Sequence, residues 1–146
     1  MDFSSTPIKQ LIPQRPPMMM VDRMLTCDDI DAVSEFYIRE DCIFLGEEGF
    51  SSPGIVENMA QSCAARMGCV DLLHGNPIKL GYIGEVRDAV ILRNPQCGET
   101  LHTYIHVLED MFNVLLAEIR VESDGETIAT ARMKVAKTDV VANLAE

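Results

Sequence analysis

A single long helix followed only by strand-forming sequence is the feature that most limits how this chain can fold. Ser52 is a good N-cap residue and Pro53 fits the first helical position, so the helix is predicted to begin there. It is predicted to run to about His74, where a Gly-Asn-Pro tripeptide ends it. Apolar residues recur along it with helical spacing, and several positions are small: Ala60, Ala64, Ala65 and Gly68. The pattern indicates a mostly buried helix that other elements wrap closely.

Alternating, β-branched sequence fills the chain on either side of this helix. Strands are predicted at residues 30–39 before it and at residues 78–92, 99–108, 113–122 and 127–137 after it. Asp124 and Gly125 form a strong hairpin signal between the last two. Residues 94–98 are expected to form a loop, and the proline-containing residues 1–21 a loop or a short helical turn. One helix among successive strands predicts an α+β domain in which an antiparallel sheet covers the helix.

Length and composition exclude several classes of function. A chain of 146 residues, 47% of them apolar, is enough for one domain, so residues 1–146 are predicted to form one. Acidic residues outnumber basic ones 23 to 12, and the net charge of -11 argues against a nucleic-acid partner. No apolar run is long enough to span a membrane, and the acidic N-terminus is unlike a signal peptide. We therefore expect a cytoplasmic protein with no membrane partner.

The cysteines and histidines predict neither disulfides nor a metal. Five cysteines without a C-x-x-C pair are expected to stay reduced, and their spacing from the three histidines fits no zinc template. His102 and His106 are predicted on a solvated sheet face, about 13 Å apart and too distant to share a metal. His74 is predicted to interact with the negative end of the helix dipole. No cofactor is expected.

Three motifs occur in a fixed order along the chain. The first is LIPQRPPMMMVDRML, the second SSPGIVENMAQS at the start of the helix, and the third GYIGEVRDAVILRNPQCGETLHTYIHV. In order and spacing they resemble the 3-hydroxyacyl-thioester dehydratases of the hot-dog fold, especially the type that acts on acyl carrier protein. In that family a catalytic acid precedes Ala-Gln in the central helix, and here Glu57 precedes Ala60 and Gln61. Gln14 stands where a histidine is common in the family's opening motif.

The loop before the helix departs from this family. Its members carry a histidine there, in a G-H-F-P-type motif, whereas this chain reads CIFLGEEGFSSPG and has no histidine before His74. The altered loop resembles that of a divergent branch of dehydratase-like proteins in bacterial aryl-polyene and flexirubin-type pigment pathways. The base that such a reaction requires is therefore not found in the expected place.

The resemblance implies a hot-dog fold, an antiparallel sheet wrapped around a long central helix, and a thioester of acyl carrier protein or CoA as substrate. Dehydration needs a base at C2, an acid for the C3 hydroxyl and donors to the thioester oxygen. Glu57 is the candidate acid, because an apolar pocket raises the pKa of a carboxyl group. The backbone amides around Ser52 and Gly54, at the positive end of the helix, are the candidate donors.

Several of these residues have a second, purely structural interpretation. Glu57 is also an acid in a favourable position near a helix N-terminus. Gln61 is either a partner of Glu57 at the substrate site or a polar core residue bonded to the backbone. Met20, with its two methionine neighbours, either lines an acyl pocket or packs in the core. Ser52 is interpreted as a helix cap and not as a nucleophile, because no histidine is near it in sequence.

Three functions remain open on the sequence alone. The first is a dehydratase; the family's dimers take the histidine from one subunit and the acid from the other, so this chain forms a homodimer or lends Glu57 to a histidine-bearing homologue. The second is a non-catalytic hot-dog subunit that binds an acyl chain, and the third is an acyl-thioester hydrolase. Because acyl carrier proteins are acidic, docking is expected to need a basic patch at Arg87 and Arg93 or a basic partner subunit.

Overall fold

The computed structural model describes residues 1–144, which contain one α-helix and a six-stranded sheet. A short 3-10 turn, Ile8–Gln10, precedes the first strand. The elements before and including the helix are β1 Arg23–Cys27, β2 Asp31–Tyr37, β3 Leu45–Gly46, β4 Gly49–Phe50 and α1 Ser52–Leu73. Those after it are β5 Lys79–Ile91, β6 Thr100–Met111, β7 Val114–Ser123 and β8 Glu126–Val141.

The main sheet is antiparallel and has the strand order β1-β2-β6-β7-β8-β5, while β3 and β4 form a separate small hairpin. Residues on one face of β6, β7 and β8 alternate with exposed ones and are buried in the same core as α1. Period-two patterning thus places one face of each central strand against the helix. The predicted architecture, an antiparallel sheet around a central helix, is confirmed.

The start of the helix differs by one residue from the prediction. Ser51 is the N-cap residue, and Ser52 already belongs to the helix. The reason is that the Ile55 amide donates to the Ser51 carbonyl, which closes the first turn there. At the other end His74 is the C-cap residue and Gly75 has φ +69°, so the chain leaves the helix where the Gly-Asn-Pro tripeptide predicted.

The small residues of the helix allow the N-terminal segment to cross it closely. A Cβ atom on Gly68 would lie 2.6 Å from the Leu11 carbonyl oxygen and 3.2 Å from the Leu11 Cα. Both Leu11 and Ile12 are fully buried in this crossing. Gly68 is therefore required by the close approach of two backbones.

Strand β5 forms one edge of the sheet and is exposed along most of its length. Its sequence alternates like that of a half-buried strand, yet Ile83, Val86 and Val90 are all exposed, whereas β8 beside it has a regular buried face. Apolar side chains exposed along an edge strand mark an interaction surface. Among residues 1–144, no helix has the length and apolar character needed to cross a lipid bilayer.

Candidate active site

Glu57 lies half-buried in a groove between α1 and β5. Two adjoining cavities meet at this residue and share Glu57, Ala60 and Ile83 in their walls. The wide cavity, about 620 Å³, extends toward the start of the helix and is mainly apolar, with walls that include Phe44, Ser52, Val56, Val86 and Met133. The narrow cavity, about 200 Å³, extends toward the helix C-terminus, with walls that include Gln14, Gln61, Ala64, Met67 and Gly81. An extended ligand laid along the helix would pass the Glu57 carboxyl group at its middle.

Gln61 fixes the Glu57 side chain from one helical turn away. Its amide nitrogen donates to Glu57 Oε2 at 3.2 Å and to the Met18 carbonyl at 2.7 Å. Its amide oxygen accepts from the Met20 backbone N–H at 2.7 Å, so the amide cannot turn round and can act only as a donor toward Glu57. With Oε2 held by this bond, Oε1 is the oxygen available for a proton. Gln61 thus makes both of the contacts that the sequence left open: it binds Glu57, and it is a polar core residue bonded to the backbone.

Met20 lies behind this site and does not line the groove. Its side chain is 1% exposed and borders a different cavity, beside Phe36 and Cys42. Asn58 donates to its carbonyl at 2.7 Å and accepts from the Thr103 hydroxyl at 2.6 Å. Because Asn58 and Gln61 bind the Met20 backbone, the methionine side chain is directed into the core, as the packing interpretation predicted. Asn58 itself was missed, although a polar residue on the buried face of a helix is a signal for such a network.

At the helix start, only one of the two predicted amide donors lines the groove. Ser52 is exposed in the wall of the wide cavity, and its backbone N–H has no partner within residues 1–144. Gly54 is buried below two aromatic side chains: a Cβ atom placed on it would lie 2.6 Å from Phe44 and 2.7 Å from the Phe50 ring. Ile55 is already bonded to Ser51. Of the two predicted donors, Ser52 is thus the one whose residue borders the groove, at the positive end of the helix.

Among residues 1–144, no histidine, lysine or arginine lines the two cavities that meet at Glu57. His102 contacts Glu35 at 2.9 Å, and His106 contacts Asp31 at 2.7 Å, both on the outer face of the sheet as predicted. His74 contacts Asp29 at 3.1 Å beyond the end of the helix. Each of these rings lies outside the walls of both cavities.

Apart from Glu57, the cavity walls within residues 1–144 contain two ionisable side chains, Cys63 and Tyr82, both in the narrow cavity. Burial raises the pKa of the Cys63 thiol to about 12, so it stays protonated at neutral pH. Within residues 1–144 no three side chains of the metal-binding types come together. Among the described residues, Glu57 therefore supplies the carboxyl group of the cavity walls.

Gln14 was not predicted to lie near Glu57, yet it forms part of the same narrow cavity. Its side-chain oxygen is buried there without a hydrogen-bond partner among the described residues. The neighbouring Arg15 holds this segment in place through bonds to the carbonyls of Lys9, Ile12 and Leu144. A buried acceptor without a partner is unusual in a folded protein and marks a place where a ligand or water can bind.

The two arginines predicted as a basic patch are both neutralised. Arg93 forms two hydrogen bonds with Glu99, at 2.8 and 3.1 Å, and one with Glu126 at 3.2 Å. Arg87 pairs with Glu85 at 2.9 Å on β5. With carboxylates on each guanidinium, this sheet edge does not form a positively charged surface.

Comparison with known proteins shows which family the chain belongs to. A 3-hydroxyacyl-[acyl-carrier-protein] dehydratase, FabZ of Latilactobacillus sakei subsp. sakei strain 23K, is 29% identical over 143 residues, which are 90% of this chain and 96% of the relative. The structure is similar to the dehydratase heterocomplex ApeI:P from Xenorhabdus doucetiae, with a TM-score of 0.84, 16% identity and 91% of each chain covered.

A hypothetical thioesterase protein with coenzyme A from Streptococcus pneumoniae TIGR4 has the same fold, with a TM-score of 0.66, 9% identity and coverage of 82% of this chain and 87% of that one. Fold similarity alone does not separate dehydratases from thioesterases. The family model of the ApeP-like proteins, described as ApeP dehydratase, matches residues 6–146. A match over nearly the whole length shows that this chain belongs to the ApeP-like family of hot-dog dehydratases.

Proposed function

We propose that this chain is one subunit of a 3-hydroxyacyl-thioester dehydratase and supplies the acid, Glu57, to a site completed by a second hot-dog subunit. The observation that carries the proposal is the position of Glu57, where two cavities meet between the helix and an uncovered sheet edge. A carboxyl group that faces a ligand groove can donate a proton to a substrate bound there.

The proposed reaction follows the order of groups along the helix. The thioester oxygen accepts from the Ser52 amide, where the helix dipole favours developing negative charge. The C3 hydroxyl lies one turn further along, at Glu57, and leaves as water after it takes the Glu57 proton. Gln61 positions Glu57 so that its free oxygen faces the groove.

The base that removes the C2 proton is proposed to be a histidine of the second subunit. The three histidines of this chain contact acids away from the groove. The groove is bordered by β5, whose apolar residues are exposed, and a subunit bound there would face Glu57. The ApeI:P structure is a dehydratase heterocomplex, which supports an unlike partner over a second copy of this chain.

The substrate is proposed to be carried by acyl carrier protein, as the name of the FabZ relative indicates for that enzyme, and used in fatty-acid or polyene synthesis in the cytoplasm. An acidic carrier would be repelled by a subunit of net charge -11 whose Arg87 and Arg93 are paired with acids. The partner subunit therefore supplies the positive surface on which the carrier docks.

The test uses this chain, a histidine-bearing hot-dog homologue from the same genome, and the two together. Hydration of 2-enoyl thioesters, followed by loss of enoyl absorbance, measures the reverse reaction. We expect activity in the mixture to exceed the sum of the separate activities, and Glu57→Gln to reduce it by about 100-fold or more. Glu48→Gln is the matched control, since that acid is exposed in the preceding loop and lies outside the cavity walls.

Each alternative function gives a different result. Full activity of this chain without a partner would contradict the proposal of an unlike pair. An active mixture that tolerates Glu57→Gln would identify a non-catalytic subunit. Release of free thiol from acyl-CoA without any enoyl product would identify a hydrolase.

A further inference from the structure

We propose that Met67, seated against Gly81, closes the far end of the acyl groove and sets the length of chain that this subunit accepts. The inference rests on the proposed function, because it takes the acyl carbon C3 to lie at Glu57. It adds the part of the substrate that lies beyond the reacting carbons.

The direction of the acyl chain follows from the two ends of the groove. The thioester oxygen is placed at Ser52, at the helix N-terminus, and C3 is placed at Glu57. The remaining carbons must then continue in the same direction along the helix, toward Ala64 and Met67. The narrow cavity occupies this stretch, and beyond Glu57 its helical wall includes the small or flexible side chains of Ala60, Ala64 and Met67.

Met67 closes the end of this cavity because Gly81 leaves room for it. A Cβ atom on Gly81 would lie 2.7 Å from Met67 Cε and 2.9 Å from its Sδ. The Met67 thioether thus occupies the space that the side chain of any other residue type at position 81 would fill. Beyond it lies a third cavity of about 30 Å³, which shares Ala64, Met67, Gly81 and Gln14 with the narrow cavity. Met67 is the flexible part of the wall between the two spaces.

The polar side chain of Gln14 opposes a longer acyl chain at the same end of the cavity. Its side-chain oxygen is buried without a partner beside Met67. A longer alkyl chain pushed past this oxygen would remove any water that reaches it, and burying an unpaired acceptor is costly. Chain length is thus limited by volume at Met67 and by desolvation at Gln14.

The volume of the narrow cavity gives the capacity. An apolar cavity of about 150 Å³ accommodates benzene, with six carbons. At about 200 Å³, and with Glu57 itself in its wall, the narrow cavity has room for a short tail beyond C3. We expect the wild-type complex to act best on short tails and to lose efficiency as the tail extends past Met67.

Two substitutions in the assembled enzyme move the limit in opposite directions. Met67→Ala joins the narrow cavity to the space beyond it, and should raise kcat/KM for longer tails, relative to shorter ones, by about tenfold. Gly81→Ala displaces the Met67 thioether into the groove. It should lower kcat/KM for the longest accepted tail, relative to shorter tails, by about tenfold. Met59→Ala is the control, because Met59 is also buried on the same helix but lines neither cavity.

Binding of non-reacting analogues separates this inference from the proposed function. The probes are pantetheine thioethers with alkyl tails of increasing length, titrated calorimetrically into the complex of wild-type and variant chains. The two substitutions should shift the length of tightest binding in opposite directions, whether or not the complex turns over substrate. The inference is overturned if folded Met67→Ala and Gly81→Ala complexes keep the wild-type length profile, if Met59→Ala shifts it equally, or if no analogue binds.

Discussion

Asn58 and Gln61 bind opposite sides of the same residue: Asn58 donates to the Met20 carbonyl, and Gln61 accepts from the Met20 amide, each at 2.7 Å. Only Gln61 also contacts Glu57. Both side-chain amides therefore hold the Met20 backbone in place, but only the Gln61 amide also contacts the candidate acid. Asn58 is thus a natural control for the role of Gln61 in the site.

Substitution of either amide by leucine leaves backbone groups of the Met18–Met20 segment unpaired, and we expect each to lower the free energy of unfolding by about 2–4 kcal/mol. Only Gln61→Leu also removes the hydrogen bond that holds Glu57 Oε2, so the acid is no longer fixed toward the substrate hydroxyl. We therefore expect Gln61→Leu to lower kcat of the complex by about tenfold or more. Asn58→Leu should leave kcat within about twofold of wild type.

Gln61→Glu keeps an acceptor for the Met20 amide and serves if the leucine variant does not fold. It should also lower kcat, because a carboxylate at position 61 cannot donate a hydrogen bond to Glu57. Equal kcat values for the wild-type, Gln61→Glu and Asn58→Leu complexes would show that Gln61 has only a structural role.

Glu99 should make stability depend on pH in the acidic range. Two hydrogen bonds from Arg93, with another from the Ser123 hydroxyl, lower the pKa of Glu99 from its ordinary value of 4.5 to about 2. A carboxyl group with a lowered pKa in the folded state stabilises that state fully above pH 4.5, and this stabilisation is lost as the pH falls toward 2.

Glu99→Gln should therefore cost about 1.5–3 kcal/mol near neutral pH and progressively less below pH 4.5. Urea unfolding at a series of pH values measures both effects. Glu109→Gln, an exposed acid on β6, is the control and should change stability by less than about 0.5 kcal/mol. A difference between wild type and Glu99→Gln that stays constant down to pH 2 would contradict the prediction.

Gly68 should be intolerant of even one added carbon. The Leu11 carbonyl oxygen would lie 2.6 Å from a Cβ atom, and this contact is to backbone, which cannot move aside like a flexible side chain. We expect Gly68→Ala to lower the free energy of unfolding by about 1–3 kcal/mol, although alanine favours helix. Gly46→Ala, with nothing nearer than 3.9 Å, should stay within about 0.5 kcal/mol of wild type. Equal thermal stability of both variants would show that the N-terminal segment can shift.

Periodicity predicted the long elements but not the short or irregular ones. The helix and the strands β5 to β8 are long enough for the apolar spacing typical of a helix or a strand to repeat several times. Their type is therefore clear from sequence alone. Strand β1 was missed because a bulge between Met24 and Thr26 interrupts its alternation. The strands β3 and β4 have two residues each, too few for any pattern. Phe112 and Asn113 form a turn in which both residues have a left-handed backbone conformation, and phenylalanine rarely adopts this conformation.

The candidate site could be predicted only where its residues are close in sequence. Glu57 and Gln61 are one helical turn apart, so their contact follows from helix geometry. Gln14 and Ile83 reach the same groove from distant parts of the chain, and no local pattern indicates this. Met20 was a candidate for the acyl pocket because methionines suit such surfaces, but side-chain amides from the helix hold its backbone and direct it into the core.

The exposed edge strand should be the surface that binds the partner subunit. Val90 is 48% exposed on β5, whose outer edge pairs with no other strand of residues 1–144. A lysine there would bury an unpaired charge in the interface, so Val90→Lys should raise the Kd of the complex by at least about tenfold. The free energy of unfolding of the isolated chain should stay within about 0.5 kcal/mol of wild type.

Phe112→Lys is the control, because Phe112 is 90% exposed at the tip of the β6–β7 hairpin and lies away from the edge. Calorimetric titration of each variant with the partner measures the Kd. Association that survives Val90→Lys but is lost in Phe112→Lys would place the interface at the hairpin tip, and the base facing Glu57 would then have to come from elsewhere.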